Sequence, residues 1–85
     1  MKNLLPNILI KCLVNQLYAL ECADEALVDS DFLVKIMESV GAEFQMLQRE
    51  DVGYVKSILS ELYLEEDDVR KKEYISNFIE YFGIS

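Results

Sequence analysis

Residues 62–74 read LYLEEDDVRKKEY, four acids in a row followed, after Val69, by three bases in a row. How the chain passes through this stretch decides the fold. No Gly or Pro interrupts it, so a single long helix is sterically allowed. The apolar stripes on either side argue against that helix. Val55, Ile58, Leu59 and Leu62 precede the run, and Ile75, Phe78, Ile79 and Phe82 follow it. The twenty positions from Val55 to Ile75, at about 100° each, leave the two stripes roughly opposite one another. One straight helix cannot press both against one core. A break near Glu65–Asp68 is therefore expected, with Asp67 or Asp68 as the cap of the next helix.

The same run has a second reading. Glu66–Arg70, Asp67–Lys71 and Asp68–Lys72 are spaced i,i+4 with the acid first, and each such pair would contribute a few tenths of a kcal/mol. Caps and pairs of this kind account for much of the composition without a partner. The functional reading makes Glu65, Glu66, Asp67 and Asp68 an acidic contact surface, with Tyr63 and Tyr74 as anchors.

Working outward, the third helix starts near Gln48–Asp51, where Glu50 and Asp51 suit the positive end of the helix dipole. Before it, Leu33, Ile36, Met37, Val40, Phe44 and Leu47 recur at helical spacing. Asp29, Ser30 or Asp31 caps that second helix, and Gly41 would permit a close approach of another segment. The first helix starts at Pro6 and runs to about Cys22, with apolar residues over more than half its circumference. At the other end, Gly83-Ile84 suits a Schellman closure. No strand-like alternation and no repeat occurs. The expectation is an all-α single domain, residues 1–85, of about four helices.

The totals bound what such a domain can do. The 85 residues are 52% hydrophobic and 28% charged, with sixteen acids, eight Lys and Arg and no His, for a net charge of −8. That balance opposes nucleic acid and anionic membrane, and would steer in a basic protein. The start, MKNLLPNILIKCLVNQLYALECA, has the outline of a secretory signal. Lys11, Asn15 and Gln16 interrupt its apolar run, and no small-x-small cleavage site follows. The run is also too short and polar to span a bilayer. Cys12 and Cys22, about 15 Å apart along one helix, cannot pair within the chain. Reduced thiols in the cytoplasm are expected, with Cys12 in the core.

Without His there is no Ser-His or Cys-His pair and no imidazole ligand. The segment DSDFLVKIMESV begins like a calcium loop, but has Val34 where that loop needs Gly and Val40 where it needs Glu. No Gly-rich phosphate loop occurs. The chain is read as a binding protein and not an enzyme, with no cofactor and no metal. Five tyrosines, Tyr18, Tyr54, Tyr63, Tyr74 and Tyr81, supply a residue type common at interface anchors. A second acidic surface, Glu21, Asp24, Glu25, Asp29 and Asp31, contains five acids and no base.

Residues 39–62, SVGAEFQMLQREDVGYVKSILSEL, and 73–84, EYISNFIEYFGI, resemble a group of small acidic helical bacterial proteins. The resemblance rests on Gly41, Ala42, Glu43, Phe44, Gln45 and Leu47, then Glu50 and Asp51, then Gly83 and Ile84. It covers less than half the chain. The group is similar to the immunity proteins of contact-dependent or polymorphic toxin systems, which neutralise a cognate toxin, often a basic nuclease. The resemblance implies that either acidic cluster would occlude the active site of a basic toxin domain.

Two alternatives stand beside it. VDSDFLVKIMESV resembles the carrier-protein motif, in which Ser30 would hold a phosphopantetheine arm, although Asp31 stands where carriers have Leu. A homodimer through the wide stripe of the first helix would bury Ile8, Cys12 and Tyr18.

Overall fold

The computed structural model describes residues 4–24 and 26–84. Its elements are α1 (Leu5–Cys22), α2 (Ser30–Phe44), α3 (Arg49–Glu65) and α4 (Val69–Tyr81). Among the described residues all regular structure is helical, and the fold is a small all-α bundle. No helix among them is long and apolar enough to cross a membrane.

The break through the acidic run falls at residues 66–68, and it is chemically specified. Asp68 Oδ1 accepts the backbone N–H groups of Arg70 (2.9 Å) and Lys71 (3.4 Å), two of the donors that a helix start leaves unpaired. With only Glu66 to Asp68 between them, α3 and α4 form an antiparallel hairpin in which Tyr63 faces Lys72 and Ser60 lies across from Ser76. Each stripe can then point at the same core, which a continuous helix would forbid. The expected i,i+4 ion pairs do not organise the joint. Glu66 reaches Lys71 at 3.7 Å, Asp68 is occupied by capping, and Lys72 lies over the Tyr63 ring. A carboxylate at the cap already holds two strong backbone donors, so it has less to gain from a lysine on the solvent side.

The core belongs mainly to α1, α3 and α4. Val14 and Leu17 of α1, Val52, Val55, Ile58 and Leu59 of α3, and Tyr74, Ile75 and Phe78 of α4 are buried, with Phe82 and Ile84 closing the bottom. Phe78 has no exposure and lies 4.5 Å from the Phe82 ring, 5.9 Å from Tyr74 and 6.0 Å from Phe44, ring centre to ring centre. The second helix is peripheral. It buries no side chain fully and rests on the core through Ile36, Met37, Val40 and Phe44. Its first turn leaves Phe32 and Val34 at 56% and 50% exposure. The radius of gyration, 13.2 Å, exceeds the roughly 12 Å of an evenly packed chain of this length. That excess agrees with a three-helix core carrying a fourth helix at its side.

Gly41 and Gly83 tie α2 to the chain end. A Cβ on Gly41 would stand 3.3 Å from the Phe82 carbonyl oxygen, so glycine permits this close approach. At the end of α4, Ile84 N–H donates to Ile79 O (3.0 Å) and Gly83 N–H to Glu80 O (3.3 Å), the two bonds of a Schellman closure. Gly83 has φ +63°, and Gln45 Nε2 donates to its carbonyl. Gly83→Ala is expected to cost about 1–2 kcal/mol, because an L side chain resists that left-handed backbone. Urea unfolding of the two proteins measures this. A difference below about 0.5 kcal/mol would mean that the closure is not held as described.

Candidate protein-binding surface

The α3–α4 hairpin carries an open groove of about 530 Å³ on one face. Leu59, Ile75 and Ile79 make an apolar floor, Lys56, Ser60 and Ser76 the walls, and Tyr63 and Leu64 the end nearest the joint. The helix stripes create this floor: each helix turns its wide apolar arc inward, and where the two arcs meet their edges stay open. Tyr63 is 39% exposed, with Lys72 Nζ 4.7 Å from its ring centre. That cation–π contact holds the ring at the groove mouth.

The joint beside the groove places the four expected acids unequally. Asp68 caps α4, and Glu66 accepts from Asp68 N–H (3.4 Å) while pairing with Lys71. Both are engaged in the fold. Glu65 and Asp67 are exposed, and among the described residues neither side chain makes a hydrogen bond or ion pair. Flanking them, Leu64 and Val69 are each 77% exposed. Neither was singled out from the sequence, yet Leu64 falls off the stripe set by Val55, Leu59 and Leu62, and that spacing alone could have marked it. The joint is therefore a mixed surface, with three exposed apolar side chains (Tyr63, Leu64 and Val69) around two open carboxylates.

Tyr74 corrects an expectation. It is 7% exposed and packs in the core, its ring 5.2 Å from Tyr18 and 5.7 Å from Tyr81. It cannot anchor a partner from there. Burial, then the charge of Glu21, then Tyr81 and Cys22, push its phenol well above the ordinary tyrosine value. Tyr18 is pushed up to about 12, first by a side-chain hydrogen bond with Cys22, then by burial and the charge of Asp68, against a lowering by Arg70. Cys12 corrects another: it is exposed, like Cys22, and both thiols are free.

The second acidic cluster lies at the connection between α1 and α2. Asp24 Oδ1 accepts Ala26 N–H (3.0 Å), and Asp29 Oδ1 accepts Asp31 N–H (3.1 Å) as the cap of α2. Glu21 and Asp31 are exposed; Glu25 lies outside the described residues. Ser30 is exposed as the first residue of α2, and the Asp29 cap gives the Asp-Ser pair a structural role without any arm attached. The fold brings the edges of the two clusters together. Glu21 acts on Tyr74 and Asp68 on Tyr18, and those two rings touch. Among the described residues no group of three or more acidic or cysteine side chains is arranged to hold a metal ion.

Comparison with protein-family models, with curated proteins and with solved structures gave no match.

Proposed function

We propose that this chain is an acidic protein-binding module that neutralises a basic toxin domain by occluding its active site, without catalysis of its own. The observation that carries the reading is the α3–α4 joint. An apolar groove ends there in exposed Tyr63 and Leu64, with exposed Val69 at the start of α4, beside Glu65 and Asp67, two carboxylates that make no hydrogen bond or ion pair among the described residues. Apolar anchors ringed by charge are the arrangement that binds tightly, the anchors supplying affinity and the charges steering approach. The net charge of −8 favours a basic target, whose lysines and arginines would otherwise hold phosphate.

Native mass spectrometry of the protein isolated gently from its own cells tests the reading. A heteromeric mass that includes a basic chain is expected. A bare chain throughout, or a prosthetic-group increment on Ser30, would count against it. With that partner in hand, the double variant Glu65→Lys/Asp67→Lys should lower the association rate constant about 10- to 100-fold at low salt and flatten its salt dependence. Reversal of Glu21 and Asp31 should have the smaller effect. If the order is reversed, the contact surface is the α1–α2 connection.

A further inference from the structure

We infer that the outward face of α1 is a self-association seam, taking a second copy of this chain. The inference does not depend on the toxin reading. α1 is docked through Ile10, Leu13, Val14 and Leu17, and Asn7 Nδ2 donates to Glu61 Oε2 (3.0 Å) near its start. On the opposite side Leu5, Leu9, Cys12, Gln16 and Ala19 are all exposed. Their spacing is four, three, four, three, which places them within about 80° of one another and repeats like the seam of a two-helix coiled coil. Ile8 widens the row at 61% exposure, next to Leu9 at 59%.

Charge selects the occupant. In a chain with sixteen acids, residues 4–20 contain none, and Lys11 is their one charge. A basic partner would be met by carboxylates, which this face lacks. A second copy, itself at −8, can approach only where its acids are not set against acids. The row offers that meeting place. Glu61 and Glu65 border it on the Ile8 side and Glu43 on the Leu13 side, without interrupting it. Leu5, Ile8 and Leu9, each more than half exposed, present on the order of 350 Å² per copy, so two copies bury roughly 700 Å², below the ~1,000 Å² of a stable specific interface. The association is accordingly weak and depends on concentration. Since Leu5 and Ala19 are each seven residues from Cys12, a two-fold axis through the middle of the row sets Cys12 against Cys12 of the second copy.

Sedimentation equilibrium over a wide concentration range tests this. The protein should pass from monomer to dimer, and Leu9→Glu should move the midpoint to at least about 100-fold higher concentration with an unchanged helical spectrum. A second measurement is independent of that variant. In Cys22→Ser, mild oxidation should give a crosslinked dimer through Cys12, and in Cys12→Ser it should give none through this seam. A protein that stays monomeric at every concentration and does not crosslink through Cys12 overturns the inference, whether or not it pellets with phosphatidylcholine vesicles.

Discussion

Phe78→Ala is expected to lower the melting temperature of the domain by at least about 12 °C. Phe78 has no exposure and packs among Phe44, Tyr74 and Phe82, which come from two helices and the chain end. Removing its ring forfeits the burial of the whole side chain, and the three neighbouring rings can only partly collapse into the space. Changes of this type cost about 3–5 kcal/mol. A chain of this length has about 4–13 kcal/mol in all, and each kcal/mol moves its melting temperature by roughly 4–8 °C. A fall of at least about 12 °C follows. Phe32→Ala is the matched comparison, the same chemical change at a ring that is 56% exposed in the first turn of α2. It should cost less than about 1 kcal/mol. Thermal unfolding followed by circular dichroism separates the two. Similar losses would mean that the aromatic cluster is not the centre of the core.

That contrast also marks where the sequence was legible. Break, caps and ends were readable because they depend on local chemistry. Asp68 and Asp29 cap because a short carboxylate reaches the N–H two residues on, and for Asp68 also the third, and Gly83 ends α4 because other residues resist its backbone. Faces were harder, because periodicity gives the direction of a stripe but not the number of neighbours that will cover it. Tyr74 belongs to the same face as Phe78, and α1 arrives to cover it through Tyr18. Cys12 belongs to a stripe wide enough for two neighbours, and α1 has its neighbours on one side only. The candidate surface was half legible for a related reason. Four consecutive acids are visible in sequence, but only the path of the backbone decides that Asp68 and Glu66 serve the turn while Glu65 and Asp67 stay open.

Raising the pH above 10 should destabilise the domain steeply, and Tyr74 should be a main cause. Its phenol has a higher pKa in the fold than in the unfolded chain, since burial and the charge of Glu21 penalise the phenolate. Below about pH 10 both states hold the proton, and this group adds no pH dependence. Above it the unfolded chain ionises first, so the stability held through Tyr74 is lost as pH rises toward the folded value. The slope is about 1.4 kcal/mol per pH unit, or about 2–3 kcal/mol between pH 10 and 12. Tyr18, pushed up to about 12 by Cys22 and by burial, acts in the same direction. Tyr74→Phe keeps the ring against Tyr18 and Phe78 and removes the titration, so its stability should fall less steeply above pH 10. Urea midpoints at pH 8, 10 and 11 measure this. Equal losses in both proteins would place the alkaline sensitivity elsewhere and would mean that the Tyr74 hydroxyl reaches water. The same variant should bind a basic partner unchanged, since a ring enclosed by Tyr18, Phe78 and Tyr81 meets the core and not the partner.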